Sequence, residues 1–461
     1  MTKDEFARFH KRRGYLHFDT PTQGADPAWN VITKFLAGER HSFMPFLGFT
    51  LATNRIRREE DDSKTKTRRE RQIVIRPKKR AIKIASHRDA VIYSYFGLLL
   101  SQRYESRLSD LGLSAIPTAF RSVGIGRCNI DHAREVFDFI EANRPCVALG
   151  FDVEKFFDRL SHRILRDAWS DIVGTDKLPP EHYKVFRSLT RFSWVSRAAV
   201  FREFGINPRR PFVEASGKRR PRICEGQEFR SRVREKGLLQ RNPEKDRGIP
   251  QGSPMSAVLS NIYMLRFDEV LQEWAESVSG LYRRYCDDII VVVPPHRVAT
   301  TEFLVNALIQ RLDLNLNDDK TERVHFSAEP GSKTANEQSL PYLGFLFDGE
   351  SVRLRQSSLD RYYGKMRRGV RFASMCRARH GVPGSPLKTR KLFLKYSHLV
   401  SSQRGGVKIR EKLGKKRYRT SRTNFISYAI RAAATFGSQG IRRQIRGHWK
   451  KLLKQISLRN R

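Results

Sequence analysis

Apolar runs divide the chain into elements before any single residue draws notice. Ile73-Val74-Ile75 stands alone inside the charge-dense stretch 57–80 and predicts a short strand entering a basic turn, with a second strand at Ala81-Ile82-Lys83-Ile84. Over residues 89–100, and again over 131–140 with Val136, Phe137 and Ile140, the apolar spacing is helical. Cys146-Val147-Ala148-Leu149-Gly150-Phe151 is a continuous apolar run of strand length, and it ends at Asp152. A helical segment follows over residues 161–170. Beyond Pro250 a helix carries Ala257, Val258, Ile262, Leu265 and Val270, and Ile289-Ile290-Val291-Val292-Val293 predicts a strand that Pro294-Pro295 stops. The last helix sets Ile441, Ile445, Trp449, Leu452, Leu453 and Ile456 on one stripe, with Arg442, Arg443, Arg446, Lys450, Lys451 and Lys454 around it. Residues 205–247 are rich in Pro, Gly and Arg with little periodicity and read as an extended basic insertion. Strands alternate with helices in the centre, so the fold is expected to mix α and β, with no internal repeat.

Composition narrows the class. A chain of 461 residues can bury a core and is expected to form roughly two to four lobes. Cys128, Cys146, Cys224, Cys286 and Cys376 lie too far apart in sequence for a zinc motif or a disulfide framework, which fits a reducing cytoplasm. Residues 1–15 alternate charges with Phe6, Phe9 and Tyr15, and no stretch reaches the roughly 18 apolar residues that span a bilayer. Neither secretion nor membrane insertion is expected.

The charge adds a partner. Lys and Arg outnumber Asp and Glu by 89 to 48, a balance of +41, and such self-repulsion favours a polyanion. Residues 351–461 hold 31 basic residues against only Asp360 and Glu411, so they supply +29 of it. A phosphate-tracking lobe beside a carboxylate-bearing lobe has this asymmetry, although a solvated basic face would share it. The apolar and basic faces of the last helix would equally suit a calmodulin-type target or a membrane-surface helix.

The carboxylates sit where chemistry could use them. Asp152 directly follows one apolar strand and Asp287-Asp288 directly precede another, so neighbouring strands would bring three carboxylates to one sheet edge, where they repel without a cation. Template-directed polymerisation deprotonates a 3′-hydroxyl and neutralises leaving pyrophosphate with two divalent ions about 3.5–4 Å apart, held by such oxygens. Taken separately, Asp287-Asp288 reads equally well as a hairpin turn and Asp152 as a helix cap.

Their conjunction with other motifs points further. Phe151-Asp152-Val153-Glu154-Lys155-Phe156-Phe157-Asp158, then Gly248-Ile249-Pro250-Gln251-Gly252-Ser253-Pro254, then Arg284-Tyr285-Cys286-Asp287-Asp288, resemble in order and spacing the palm signatures of reverse transcriptases. The resemblance extends from Lys79-Arg80-Ala81-Ile82 through Ala119-Phe120-Arg121 to Asp319-Lys320-Thr321 and Leu340-Pro341-Tyr342-Leu343-Gly344-Phe345, covering roughly residues 70–350. It implies an α+β right-hand polymerase fold with fingers, a ferredoxin-like palm of antiparallel sheet plus helices, and a basic helical thumb. It divides the chain into an N-terminal extension over 1–69, fingers over 70–145, a palm over 146–349 with the basic insertion near 205–247, and a thumb over 350–461.

The same resemblance implies roles. Asp152 and Asp287 would be direct metal ligands, Asp288 a further ligand or electrostatic partner, and the Val153 carbonyl part of the shell, around two Mg²⁺ ions with Mn²⁺ as the alternative. Phe156 would exclude a 2′-hydroxyl, although Phe156 and Phe157 could equally both be core. Gln251 and Gly252 would meet the nucleotide, Arg80 with Lys79 or Lys78 would clamp its triphosphate, and Lys320 would protonate pyrophosphate. Tyr342-Leu343-Gly344 would grip the primer. Partners would be an RNA template, a structured non-coding RNA above all, an RNA/DNA or DNA product, and dNTPs, without a membrane.

Several relatives are disfavoured by missing residues. An RNase H needs about four carboxylates, which 351–461 lack, and no Cys/His set for an endonuclease exists. Neither an N-A-x-x-H segment nor a Val-Thr-Gly triplet suggests a retron enzyme, and Cys286 replaces the alanine usual in group II intron enzymes. Stand-alone bacterial reverse transcriptases of antiphage defence remain most similar. A maturase or mobile-element polymerase, and a non-catalytic RNA-binding scaffold, stay as alternatives.

Overall fold

In the computed structural model, residues 1–58, 73–121, 127–214, 216–329, 331–332, 334, 338–381, 386–398, 407–408, 418–419 and 424–460 are described. The fold is α+β, as the sequence leads one to expect, with a fully antiparallel central sheet and a second sheet holding one parallel pair. Its strands are β1 Phe46–Arg58, β2 Ile73–Ile84, β3 Cys146–Asp152, β4 Ser193–Ser196, β5 Leu239–Arg241, β6 Leu281–Tyr285, β7 Asp288–Val293, β8 Glu322–Phe326, β9 Leu340–Tyr342, β10 Phe345–Phe347 and β11 Val352–Leu354.

The central sheet runs in the order β6-β7-β3-β8, all neighbours antiparallel. Both of its faces are covered, so β3 and β7 read as continuous apolar runs rather than alternating ones. Val147, Leu149, Phe151, Ile289, Val291 and Val293 join the core built with helices His162–Val173, Ser256–Tyr263 and Leu265–Ser277. Cys146, Ala148, Ile290 and Val292 enter a second core with helix Asn129–Ala142 and with the C-terminal helices Gln356–His380, Phe425–Thr435, Gln439–Ile445 and His448–Asn460. The basic C-terminal region therefore packs on the second face of the sheet through its own apolar stripe.

A second sheet, in the order β2-β1-β4-β5, lies beside the first core. Here the expectation of two short strands around a basic turn is corrected. β2 is one strand, paired to β1 from Arg58↔Ile73 to Leu47↔Ile84, and Pro77 is tolerated because β2 is the sheet edge. The division at 69/70 consequently separates two strands that pair. Residues 205–247 are also more ordered than their composition suggests: β5 pairs with β4, and Ile206, Ile223, Cys224 and Val233 bury against Leu16, Phe18, Leu47 and Val195.

Two predicted helices are broken. The one after Pro250 bends at Met264 into Ser256–Tyr263 and Leu265–Ser277. The last one splits around Gly447, a residue that weakens a helix interior, into Gln439–Ile445 and His448–Asn460. Of its stripe, Ile441, Ile445, Leu452 and Ile456 are buried while Leu453 is exposed. Among the described residues no helix is long and apolar enough to cross a membrane.

Candidate active site

Asp152, Asp287 and Asp288 lie near one another where β3 ends and β7 begins. Asp152 lies directly opposite Asp288 in the antiparallel register, so both side chains leave the same face of the sheet. β6 and β7 form a hairpin in which Tyr285 pairs with Asp288, leaving Cys286-Asp287 as a two-residue loop. Cys286 has φ 60 whereas Asp287 stays at negative φ, the pattern of a type II′ turn, which suits the right-handed twist of the strands. The turn is tied to β3 by the Val153 N–H, which donates to the Asp287 carbonyl at 3.2 Å. Beyond Asp152, Glu154 N–H donates to the Asn315 carbonyl and Asn317 N–H to the Asp152 carbonyl, bringing the turn Asp318–Lys320 alongside.

The electrostatics follow from this crowding. The Asp288 carboxyl is pushed up to about 6, first by lost solvation and then by Asp287 and Asp152, with Arg355 and Lys320 opposing. Asp288 still reaches solvent. The Lys320 ammonium donates to Asp152 Oδ2, so one carboxylate already has a cationic partner. Among the described residues, no three His, Cys, Asp or Glu side chains converge into a ready-made metal cage. The donor set nevertheless fits a hard divalent ion, since Mg²⁺ needs only one or two carboxylates plus waters and substrate phosphates. The mutual repulsion of carboxylates crowded in this way is relieved by such an ion.

Beneath the turn lies a polar cluster that sequence reasoning missed. Arg284 and Asp268 are an ion pair with both side chains fully buried, joined Nε to Oδ1 at 2.7 Å and Nη2 to Oδ2 at 2.5 Å. Tyr282 donates to Asp268 Oδ1 at 2.6 Å. Only the helical spacing of Asp268 beside an apolar face could have hinted at its burial; nothing in the sequence pairs it with Arg284.

The remaining predicted residues take several places. Lys79 and Arg80 are exposed on β2, opposite Ala52 and Leu51 of β1. Gln251 and Gly252 abut the same strand: Lys83 N–H donates to the Gln251 carbonyl at 2.8 Å, and a Cβ on Gly252, whose φ is 117, would stand 2.9 Å from the Lys83 carbonyl. The backbone that approaches Gly252 closely here is that of β2. Phe156 is 3% exposed and belongs to the core, whereas its neighbour Phe157 is half-buried. Tyr342, Leu343 and Gly344 close the β9–β10 hairpin, Leu343-Gly344 being a two-residue loop with φ 44 and 94. The Tyr342 hydroxyl is buried without a hydrogen-bond partner among the described residues.

Lys83 was not predicted as a site residue. Its ammonium lies over the Phe192 and Trp194 rings and lines a cavity of about 350 Å³ with Lys155, Asp158, Arg159 and Arg247. Burial lowers its pKa, opposed by Asp158. The period-two alternation of β2, had the strand been recognised as continuous, would have separated Lys83 from Arg80 by face.

Residues 125–347 match the family described as reverse transcriptase (RNA-dependent DNA polymerase). The match spans slightly under half the chain, ends with β10, and marks this stretch as a reverse transcriptase domain. Curated proteins yield no match. Similar solved structures include apo telomerase from Candida tropicalis truncated from its C-terminal domain, with 13% identity and a TM-score of 0.40 over 71% of this chain and 59% of that one. Apo telomerase from the same organism follows, with 12% identity and a TM-score of 0.40 over 74% and 55% of the two chains. Telomerase from Candida albicans in complex with a TWJ fragment of telomeric RNA gives 11% and 0.37 over 93% and 59%. This chain spans less than two thirds of the length of those structures, and at these scores the likeness carries no argument.

Proposed function

We propose that this chain is an RNA-directed DNA polymerase, and the observation that carries the reading is Asp152 facing Asp288 across β3 and β7, with Asp287 in the turn, inside a reverse transcriptase domain. Residues 70–145 act as fingers, 146–349 as palm and 350–461 as a thumb on the template–product duplex, and the preceding 1–69 lend β1 to the sheet of the fingers. Asp152, Asp287, Asp288 and the Val153 carbonyl would hold two divalent ions of the Mg²⁺ class, which would supply an activated 3′-hydroxyl and charge neutralisation at the reacting phosphate. Lys320, already donating to Asp152, holds a proton within reach of the departing pyrophosphate. Arg80 reaches the triphosphate from β2, with Lys78 on its own face of the strand or Lys79 on the other as the second cation, while Gln251 and Gly252 frame the nucleotide beneath that strand.

Sugar discrimination falls to Phe156, the position its offset from Asp152 selects. Because that ring is buried, its replacement should cost stability too, and the half-buried Phe157 supplies the control. Tyr342, Leu343 and Gly344 hold the primer end from the β9–β10 turn. The template is a structured non-coding RNA and the setting bacterial antiphage defence in the cytoplasm; the support is the strongly basic, acid-poor stretch 351–461, which suits a polyanion.

Purified protein given an RNA template, a DNA primer, dNTPs and Mg²⁺ should extend the primer, and the double variant Asp287→Ala, Asp288→Ala should not. Extension by that variant at the wild-type rate would sink the site. Sequencing RNA and cDNA that co-purify from cells tests the template, and recovery of a flanking intron RNA would favour a maturase instead.

A further inference from the structure

The buried cluster under the turn has a geometry that the proposed reaction does not by itself require. The Arg284 guanidinium has three sets of partners. Two of its nitrogens hold Asp268, on helix Leu265–Ser277. Its Nη1 donates to Asn261 Oδ1 at 3.1 Å, on helix Ser256–Tyr263, and to the Cys286 carbonyl at 3.2 Å. The Asn261 amide in turn donates to the Ala119 carbonyl at 3.0 Å. The backbone of Arg284 is fixed as well: its N–H donates to Ile116, and Thr118 N–H donates to its carbonyl, at 3.1 and 2.9 Å.

The bond to Cys286 matters because of which carbonyl it is. In a two-residue hairpin loop the central peptide plane can point either way, and the two orientations correspond to type I′ and type II′ turns. The Cys286 carbonyl belongs to that central peptide, and Asp287 is the residue on its other side. Cys286 also holds positive φ without being glycine, which is disfavoured unless the surroundings over-determine it. A buried ion pair is weak evidence for stability, because desolvation offsets its attraction, but it can specify one geometry among several.

Resting on the polymerase reading, we infer that Arg284 is a positioning residue: anchored by Asp268 and Asn261, it locks the Cys286–Asp287 peptide so that Asp287 presents its carboxylate to a divalent cation. A planar fork suits this task, since one guanidinium serves a carboxylate, an amide and a carbonyl at once. Lysine retains the charge but not the fork.

The test uses the full chain, stripped of metal, with Mn²⁺ as the probe and electron paramagnetic resonance of free Mn²⁺ as the readout. Wild type should bind Mn²⁺ in a way that Asp287→Ala weakens; if it does not, the polymerase site itself fails, whatever Arg284 does. The double variant Arg284→Met, Asp268→Leu removes both buried charges together, and Arg284→Lys keeps the ion pair. Either one, shown folded by near-ultraviolet circular dichroism, should bind Mn²⁺ at least about tenfold more weakly. The Mg²⁺ concentration for half-maximal extension should rise by a similar factor, with KM for primer–template unchanged. A folded variant that binds Mn²⁺ like wild type overturns the inference. Failure of both variants to fold also overturns it, because Arg284 would then be a general core residue.

Discussion

Two hairpin turns in this molecule have the same length and opposite construction. Between β9 and β10, Leu343 and Gly344 both take positive φ, and the space where a Gly344 side chain would go is empty. Between β6 and β7 only the first residue is at positive φ, a position that favours glycine, and there the chain has a buried cysteine whose carbonyl Arg284 holds. The first turn has glycine at one of its two positive-φ positions and takes one outside bond, from the Arg355 N–H to the Gly344 carbonyl at 3.0 Å. The second depends on groups from two helices and a loop. The turn that bears Asp287 is the one whose shape leans more on the surrounding fold.

Four predictions press on that contrast, the largest first. Asp287→Ala in the β6–β7 turn should lower primer extension at least about a thousandfold while the melting temperature stays within a few degrees. A comparable fall in stability would mean that the carboxylate is structural. Next, Lys320→Met, which removes the ammonium beside Asp152, should slow single-turnover extension about a hundredfold if that group delivers the proton. An unchanged rate would leave Lys320 as a mere counter-ion.

The third compares the turns directly. Gly344→Val forces a β-branched residue to φ 94 in open space, so it should cost about 1–2 kcal/mol of stability through the backbone alone. Cys286→Gly removes the strain together with a buried thiol, so denaturant melts should place it within about 1 kcal/mol of wild type. Equal losses for the two would erase the distinction.

The smallest effect concerns Asp288. Its carboxyl is raised above the ordinary value, so the metal-free protein is favoured when Asp288 is protonated and loses that advantage as pH rises through about 6. Because the side chain reaches solvent, screening limits the effect to about 1 kcal/mol or less. Asp288→Asn should therefore raise the metal-free melting temperature slightly at pH 7.5 and not at pH 4. A higher melting temperature at both pH values would point to packing rather than charge.

The placement of the candidate carboxylates was legible because they lie next to strong local signals. Asp152 ends one apolar run and Asp288 begins another, and two such runs in one sheet leave few arrangements. The long β2 strand was hidden by charge, since Lys78, Lys79 and Arg80 resemble a turn until β1 is seen to pair beside them. The Arg284–Asp268 pair was illegible for a different reason: a charged residue buried by a distant partner has the same one-letter appearance as one facing water. Phe156 and Phe157 show the limit of spacing, because adjacent rings differ in burial in a way no offset reveals.

The central sheet carries one more consequence. β7 offers apolar residues to both faces, with Ile289, Val291 and Val293 on one side and Ile290 and Val292 on the other, and β3 does likewise. Hydrophobic burial alone therefore penalises a one-residue slip between them only weakly, although a slip would turn Asp288 away from Asp152. Side-chain size adds what hydrophobicity lacks, since Cys146, Ala148 and Gly150 on one face of β3 leave no room for Val147, Leu149 and Phe151, and the Val153 N–H bond to the Asp287 carbonyl pins the end of the register. A molecule misaligned there would still count in every measure of protein concentration while lacking the facing carboxylates. Titration of competent sites against total protein would read out how faithfully the hairpin closes.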